Sequence, residues 1–95
     1  MAGLRPSVPP QVAEVIRHLS PDLKRAVRSA IRTLCAKPAA GEALHGELRG
    51  LWKYRVRRFR IVYEIDGRGR VLKIIAIGHR RSIYEEVAEL VRREK

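Results

Sequence analysis

The apolar residues of this chain change their spacing in the middle of the sequence, and that change constrains the fold more than any other feature. Before residue 37 they recur every three or four positions, which is typical of amphipathic helices. From residue 52 they alternate with polar residues, which is typical of strands with one buried face. A chain that places helices before strands in this way favours an α+β fold with helices packed on an antiparallel sheet.

Two helices are predicted in the first part of the chain. Residues 10–19 carry one apolar stripe, and Ser20 and Pro21 then begin a new helix, because serine caps a helix and proline suits its first turn. The apolar stripe of this second helix consists of Leu23, Val27, Ala30, Ile31 and Leu34. We expect the two helices to be antiparallel neighbours that meet at Ser20.

Three strands and a last helix are predicted in the second part. Residues 52–56 and 59–65 alternate, and the turn sequence DGRGR precedes a third strand, VLKIIAIG. The third strand is nearly all apolar, so we expect it to be buried on both faces. The sequence SIYE begins a C-terminal helix, with capping-box spacing of Ser82 and Glu85. Residues 4–8 could add a short edge strand, because a proline there excludes a central one.

These elements predict one small domain over residues 1–95, an α+β sandwich. Its antiparallel sheet has three or four strands, two N-terminal helices pack on one face, and a C-terminal helix follows. Cys35 is the single cysteine, so no internal disulfide forms, which suits a reducing cytoplasm. No apolar run is long enough to span a membrane and no signal-peptide pattern is present, so neither membrane insertion nor export is expected.

The charge of the chain restricts its partners. Lysine and arginine number 21 against 10 aspartate and glutamate residues, which gives a formal net charge of +11. So large an excess costs stability through self-repulsion and draws a protein to polyanions. Nucleic acid is therefore the first candidate partner and an acidic protein the second. A generally basic surface without a specific partner is the plain alternative.

Much of this charge is predicted to lie on one hairpin. If Arg57 and Arg58 form its two-residue turn, Arg55 lies directly opposite Arg60. Like charges opposite each other destabilise a strand pair, and Asn-Gly would suit such a turn far better than Arg-Arg. A sequence that accepts both costs indicates a functional surface, and clustered guanidinium groups suit phosphate.

Other candidate site residues follow the third strand. His79 and Arg80 come where side chains emerge at the end of the sheet, and Tyr84 could add an aromatic platform or a hydroxyl. We expect His18 and His45 to be structural or exposed. The histidines and the cysteine lack metal-ligand spacing, and no phosphate-binding loop, paired carboxylates or Ser-His-Asp arrangement is visible. No metal or cofactor is predicted, and a binding module and a nuclease both stay open.

A nuclease built from such residues would need no metal if its substrate were RNA. The 2′-oxygen of RNA can attack the adjacent phosphate when a base removes its proton and cations stabilise the developing charge. An acid must also protonate the leaving 5′-oxygen. Two or three arginines together with a histidine or a tyrosine can supply these groups.

The sequence LHGELRGLWKYRVRRFRIVYEI, followed by VLKIIAIGHRRSIYEEV, resembles the RelE toxins of the RelE/ParE toxin–antitoxin superfamily. The similarity covers about residues 10–92 and rests on the linked pattern L-x-G-x-L-x-G-L, Y-R-V, Y/F-R-I-V-Y and I-G-H-R-x-x-I/V-Y. RelE toxins are ribosome-dependent endonucleases that cut mRNA in the ribosomal A site without metal. The resemblance implies the same activity here, with a RelB-like, acidic antitoxin that blocks the toxin in a hetero-oligomer. In this family the toxin–antitoxin complex commonly represses its own operon.

The resemblance also implies roles for single residues. The basic sheet residues of the family match Arg55, Arg57 and Arg60, and its arginine after the last strand matches Arg80. Arg60 would stabilise transition-state charge, and Arg80 would contact the scissile phosphate or the leaving group. The tyrosine of the family's catalytic region matches Tyr84, which would stack on or orient the base. Phosphates of mRNA or ribosomal RNA would be held by Arg55, Arg57, Lys53 and Arg58.

This chain departs from the family at the general base. The best-studied RelE-type site uses lysines where this chain has Arg55 and Arg57, and one of those lysines is the base. Arginine stays protonated, so it accepts no proton. Either His79 takes the role of base, because an imidazole exchanges its proton near neutral pH, or Arg55 and Arg57 only stabilise charge.

Two other functions stay open. A ParE-type toxin shares this fold and inhibits DNA gyrase, but it lacks the nuclease's cluster of catalytic groups. The arginine face and the I-G-H-R-x-x-I-Y run therefore favour the nuclease. A toxin that has lost activity, or a pure binding or repressor subunit, would explain the absent lysine base.

Overall fold

The computed structural model describes residues 3–79 and 82–93, and these residues form three helices and five strands. The helices are α1 (Pro10–Arg17), α2 (Pro21–Ala36) and α3 (Ser82–Arg93). The strands are β1 (Arg5–Ser7), β2 (Glu42–Ala43), β3 (Trp52–Val56), β4 (Phe59–Asp66) and β5 (Val71–His79). Two short 3₁₀ turns lie between α2 and β3, at Pro38–Ala40 and Gly46–Leu48.

The two N-terminal helices meet as the sequence predicts. The hydroxyl of Ser20 accepts a 3.4 Å hydrogen bond from the backbone N–H of Leu23, and Pro21 occupies the first position of α2. The first backbone N–H groups of a helix have no carbonyl partner within the helix. The serine hydroxyl accepts a hydrogen bond from one of these N–H groups, and proline at the first position has no N–H that needs a partner. The predicted boundary between α1 and α2 is confirmed.

The α+β class is confirmed, but the sheet has one strand more than the three or four predicted. Its strand order is β1-β5-β4-β3-β2, with β1 parallel to β5 and the other pairs antiparallel. The sheet thus has five strands in the described residues, because the two-residue β2 pairs with β3 and β1 pairs with β5. Parallel strands need a long connection, and residues 8–70 connect β1 with β5 here. Pro6 lies in an edge strand, as predicted.

Helices cover both faces of the sheet. α1 and α2 pack on one face, where a buried cluster includes Ile16, Leu34, Ile61, Tyr63 and Ile77. α3 packs on the opposite face, where the buried cluster consists of Val62, Ala76, Ile83 and Val87. Successive residues of a strand point to opposite faces, so β4 and β5 contribute to both clusters. The predicted burial of the third strand on both faces is therefore confirmed.

Tyr63 joins the sheet to the connection that follows α2. Its side chain is fully buried, its ring stacks on Trp52 with 6.2 Å between ring centroids, and its hydroxyl donates a 2.7 Å hydrogen bond to the Pro38 carbonyl. Burial raises the pKa of this hydroxyl, because a phenolate is poorly stabilised away from water. The neutral hydroxyl therefore holds the connection against the sheet.

We expect the stability contributed by Tyr63 to be lost at high pH. Because its pKa is raised in the fold, the contribution is complete below the pKa of an unfolded tyrosine, about 10, and falls as the pH rises above that value. Tyr63→Phe should lower the unfolding free energy by about 1 kcal/mol at neutral pH through the lost hydrogen bond. Urea unfolding should find a smaller difference between the two proteins at about pH 11. A difference that does not change with pH would contradict this account.

Candidate functional site

The β3–β4 hairpin has the predicted register. Val56 pairs with Phe59, so Arg57 and Arg58 form a two-residue turn. Tyr54 pairs with Ile61 on the buried side, as the alternation of apolar residues requires. The hairpin therefore presents its charged residues where the sequence predicts them.

The basic face, as we name it, is the surface of the hairpin that carries Lys53, Arg55 and Arg60. Arg55 lies directly opposite Arg60 across the strand pair. These residues alternate with residues that pack under α1 and α2, so the basic face is on the same side of the sheet as α3. Arg55 is exposed, and Lys53 and Arg60 are half-buried.

The arginines of the hairpin are not neutralised within the part of the chain that the structure describes. No carboxylate there forms an ion pair with Arg55, Arg57, Arg58 or Arg60. Arg55 Nε instead donates a 3.1 Å hydrogen bond to the Arg57 carbonyl, and Arg60 Nη1 donates a 3.2 Å bond to the Phe59 carbonyl. A guanidinium has several N–H donors, so both arginines keep donors for an anion.

Tyr84 of α3 lies beside Lys53. The Lys53 Nζ atom is 5.7 Å from the centroid of the Tyr84 ring and 3.8 Å from Glu42 Oε1. The side chain of Lys53 is 34% exposed, so its amine lies between α3 and β2 and still reaches solvent. The structure thus places a lysine and a tyrosine on the same face as the paired arginines.

The pairing of β4 with β5 contains a β-bulge. Ile75 is the extra residue, because it lies between the pairs Val62–Ala76 and Tyr63–Ile74. From the bulge to its C-terminal end, β5 is shifted by one residue relative to β4. A shift of one residue exchanges the two faces of a strand, so the bulge decides which side chains at the end of β5 lie on the basic face.

The bulge places a glycine opposite Arg60. Arg60 lies opposite Gly78, whereas an unbulged register would place Ile77 there. A Cβ atom added at Gly78 would lie 2.9 Å from Ile83 Cδ1, so the glycine also lets the start of α3 approach the sheet. This close approach holds the first turn of α3, with Tyr84, over the basic face.

The same bulge places His79 on the other face. His79 pairs with Phe59, and the two rings lie 4.5 Å apart between centroids with an interplanar angle of 34°. Phe59 packs against the cluster under α1 and α2, so the imidazole does not lie with Arg55 and Arg60. The structure therefore does not bring this predicted base together with the basic face.

The other sequence predictions have mixed outcomes. Arg80 lies outside the described residues, and Arg57 and Arg58 are exposed in the turn. His18 and His45 are exposed, as predicted.

Sequence reasoning missed Glu42 and Gly78. A lone glycine in an apolar strand indicates close approach of another element, so Gly78 had a signal. Glu42 had none, because β2 is only two residues long.

Arg57 adopts an unfavourable backbone conformation. Its φ angle is 57°, in the left-handed region that costs a non-glycine residue about 1–2 kcal/mol. Glycine or asparagine would adopt this conformation with less strain. The chain therefore keeps an arginine at the tip of the hairpin at a cost in stability.

Other kinds of site find little support in residues 3–79 and 82–93. No group of three histidine, cysteine, aspartate or glutamate side chains there could hold a metal ion. Cys35 is half-buried, and burial raises the pKa of its thiol, which disfavours the reactive thiolate. No described helix is long and apolar enough to cross a membrane.

Comparison of the sequence with protein families gives one match. The family model described as the ParE toxin of the type II toxin–antitoxin system, parDE, matches residues 6–84. No curated protein sequence gives a significant match.

Several solved structures have the same fold. A chain of the RelBE2 toxin–antitoxin complex from Mycobacterium tuberculosis is 26% identical, with a TM-score of 0.74 over 84% of this chain and 94% of that chain. A mutant of the Escherichia coli toxin RelE in the free state is 18% identical, with a TM-score of 0.76 over 97% and 98% of the two chains. The YoeB/ParE toxin from Agrobacterium tumefaciens is 24% identical, with a TM-score of 0.67 over 81% and 96%. At these lower identities, the last two similarities show the fold alone.

Proposed function

Because this chain belongs to the ParE toxin family of type II toxin–antitoxin systems, within the RelE/ParE superfamily, we propose that it is a ribosome-dependent mRNA endonuclease. The observation that carries the proposal is the basic face, where Lys53, Arg55 and Arg60 share one surface with Tyr84. No described carboxylate pairs with the two arginines. Cations that reach solvent beside an aromatic ring fit the phosphate backbone of RNA and an unstacked base.

We propose that this face cleaves RNA through attack by the 2′-oxygen on the adjacent phosphorus. The bond from the 2′-oxygen to phosphorus forms as the bond from phosphorus to the 5′-oxygen breaks. One proton leaves the 2′-hydroxyl and one reaches the 5′-oxygen, so no other reactant is needed. Arg60 and Arg55 would stabilise the negative charge that develops on the phosphoryl oxygens. Tyr84 would stack on or orient the base, and Arg80 would contact the scissile phosphate or the leaving group.

The general base is proposed from its position on the sheet. His79 could take this role only if the RNA reached around the end of β5, because its ring lies on the other face. Lys53 lies on the basic face, and a lysine amine can give up its proton, unlike a guanidinium. We therefore propose Lys53 as the base and keep His79 as the alternative.

The shape of the site gives a reason for dependence on the ribosome. The basic face is a sheet surface that the first turn of α3 covers only in part, so the protein alone would orient a flexible RNA poorly. Orientation of reacting groups is a large part of catalysis, and the ribosomal A site would hold the mRNA in one geometry. Arg57 and Arg58 would then hold phosphates of mRNA or ribosomal RNA.

The same charge gives a reason for an antitoxin partner. We propose a RelB-like, acidic antitoxin that covers the basic face in a hetero-oligomer and so blocks RNA. Related solved structures include the RelBE2 toxin–antitoxin complex of M. tuberculosis and a RelE–RelB complex from Pyrococcus horikoshii. An acidic segment would compensate part of the net charge of +11.

Inhibition of DNA gyrase is the second candidate function, because the matching family model is named for the ParE toxin. Two assays on one preparation separate the candidates: translation of a reporter mRNA by purified ribosomes, and supercoiling of relaxed plasmid by purified gyrase. We expect translation to stop and supercoiling to continue. Loss of supercoiling with intact translation would favour the gyrase inhibitor. If folded protein left both translation and supercoiling intact, an inactive binding subunit would be favoured.

Replacement of Arg57 by glycine should separate stability from function. The glycine relieves the left-handed strain but is more flexible when unfolded, so the unfolding free energy should change by less than about 1 kcal/mol. Loss of a phosphate contact should weaken ribosome binding about three- to tenfold and reduce its salt dependence. Arg70 also has a φ of 57° and lies at the other end of β4, so Arg70→Gly is the matched control. Equal weakening by both variants would mean that only net charge matters.

A further inference from the structure

The end of the sheet carries an aromatic pair on the face opposite the basic face. Phe59 and His79 are cross-strand partners whose rings lie 4.5 Å apart between centroids. Phe59 is half-buried and anchored against the cluster under α1 and α2, whereas His79 is exposed. The pair is thus a ring surface that the core holds from one side and solvent reaches from the other.

A small cleft adjoins this pair. It has a volume of about 240 Å³ and is lined by Ser20, Leu23, Arg57, Arg58 and Phe59. The two arginines form no ion pair with any carboxylate in the described residues. Cations, a hydroxyl and an aromatic ring therefore meet at the tip of the hairpin, where the two faces of the sheet join.

We propose that this surface, Phe59 and His79 with Arg57 and Arg58, binds one unpaired RNA nucleotide apart from the site of cleavage. The base would stack on the Phe59–His79 pair, and the arginines would hold its phosphate. Aromatic rings and guanidinium groups are the side chains on which splayed RNA bases stack. The inference rests on the proposed RNA substrate, and it makes His79 a binding residue and not a general base.

Sheet geometry requires that this nucleotide differ from the one that is cut. Arg60 and His79 point to opposite faces, since Arg60 pairs with Gly78 and Phe59 pairs with His79. An RNA strand that meets both faces must pass over the Arg57–Arg58 turn. The nucleotide can belong to the mRNA beside the cut or to ribosomal RNA at the binding site, because both offer the same base and phosphate.

The test compares His79→Ala with His79→Phe, which keeps a ring but cannot accept a proton. We expect His79→Ala to raise the KM for programmed ribosomes about tenfold with kcat within about twofold, since stacking of one base is worth about this much. His79→Phe should restore most of the affinity. His45→Ala removes another exposed histidine and is the matched control, with no expected change. A fall in kcat in both His79 variants would overturn the proposal and favour the general base.

A binding measurement keeps this test independent of the nuclease proposal. Fluorescence anisotropy of a labelled single-stranded RNA decamer reports binding even if the protein cuts nothing. Weaker binding of the decamer by His79→Ala than by His79→Phe would support the stacking site and place the nucleotide in mRNA-like single strands. The same order on 70S ribosomes without mRNA, and not on the decamer, would place it in ribosomal RNA. Equal binding by both variants to both probes would overturn the proposal.

Discussion

Replacement of Arg60 by alanine is expected to slow the cleavage of ribosome-bound mRNA by about 10²–10³-fold. Removal of one preorganised donor to a developing negative charge has an effect of about this size. Arg60 lies on the basic face and not in the core, so the unfolding free energy should change by less than about 1 kcal/mol. Single-turnover cleavage on preformed ribosome complexes, with circular dichroism as a folding check, measures both effects. In cells, growth arrest should be lost while antitoxin binding persists.

The matched control for Arg60→Ala is Arg68→Ala. Arg68 is exposed in the turn between β4 and β5, at the far end of the same strand, and its loss changes the net charge equally. We expect Arg68→Ala to retain the wild-type rate. Equal losses in the two variants would mean that Arg60 acts through net charge alone. Wild-type activity of Arg60→Ala would remove the basic face as the site of cleavage.

Replacement of Gly41 by alanine adds one methyl group and is expected to destabilise the fold strongly. The new Cβ would overlap the Tyr63 hydroxyl oxygen and the Lys53 carbonyl oxygen, and a carbonyl of the sheet has little room to move. Overpacking and the distortion of the Tyr63–Pro38 hydrogen bond by the new methyl group should together lower the unfolding free energy by about 3 kcal/mol. For a domain of this size that corresponds to a fall in Tm of about 15 °C.

Gly67→Ala is the control, because no atom lies within 4 Å of a Cβ built at Gly67. It should change Tm by only a few degrees in either direction, through the lower flexibility of the unfolded chain. Thermal unfolding of the two variants under one condition makes the comparison. Similar Tm values would show that residues 38–41 are not packed against Tyr63 as described.

Local patterns were sufficient to predict the hairpin. The alternation of residues 52–65 and the position of its turn imply that Arg55 faces Arg60, and the structure has this register. The apolar stripes of α1 and α2 and the cap at Ser20 are local for the same reason. Structural features that depend only on residues close together in the sequence could therefore be predicted from the sequence.

Non-local pairing could not be read in this way. An amphipathic stripe shows that α3 packs against something, but not on which face of the sheet. The pairing of β1 with β5 joins residues more than 60 positions apart, and no local pattern encodes it. The two-residue β2 gives too few residues to show alternation.

The bulge at Ile75 is the reason that the position of His79 was not predicted. If residues are counted forward along β5 from the turn after β4 without a bulge, the alternation of side chains places His79 on the same face as Arg60. One extra residue reverses that result for the whole end of β5. His79 was thus predicted as the base from its place after the third strand. The face on which it lies depends on the bulge at Ile75, which has no local signal in the sequence.

Primer extension on a translated mRNA, with purified protein added to 70S ribosomes, tests the central proposal most directly. We predict discrete cuts at A-site codons that are absent when ribosomes are omitted and that are weakened by Arg60→Ala but not by Arg68→Ala. An absence of cuts by folded, antitoxin-binding protein would contradict it.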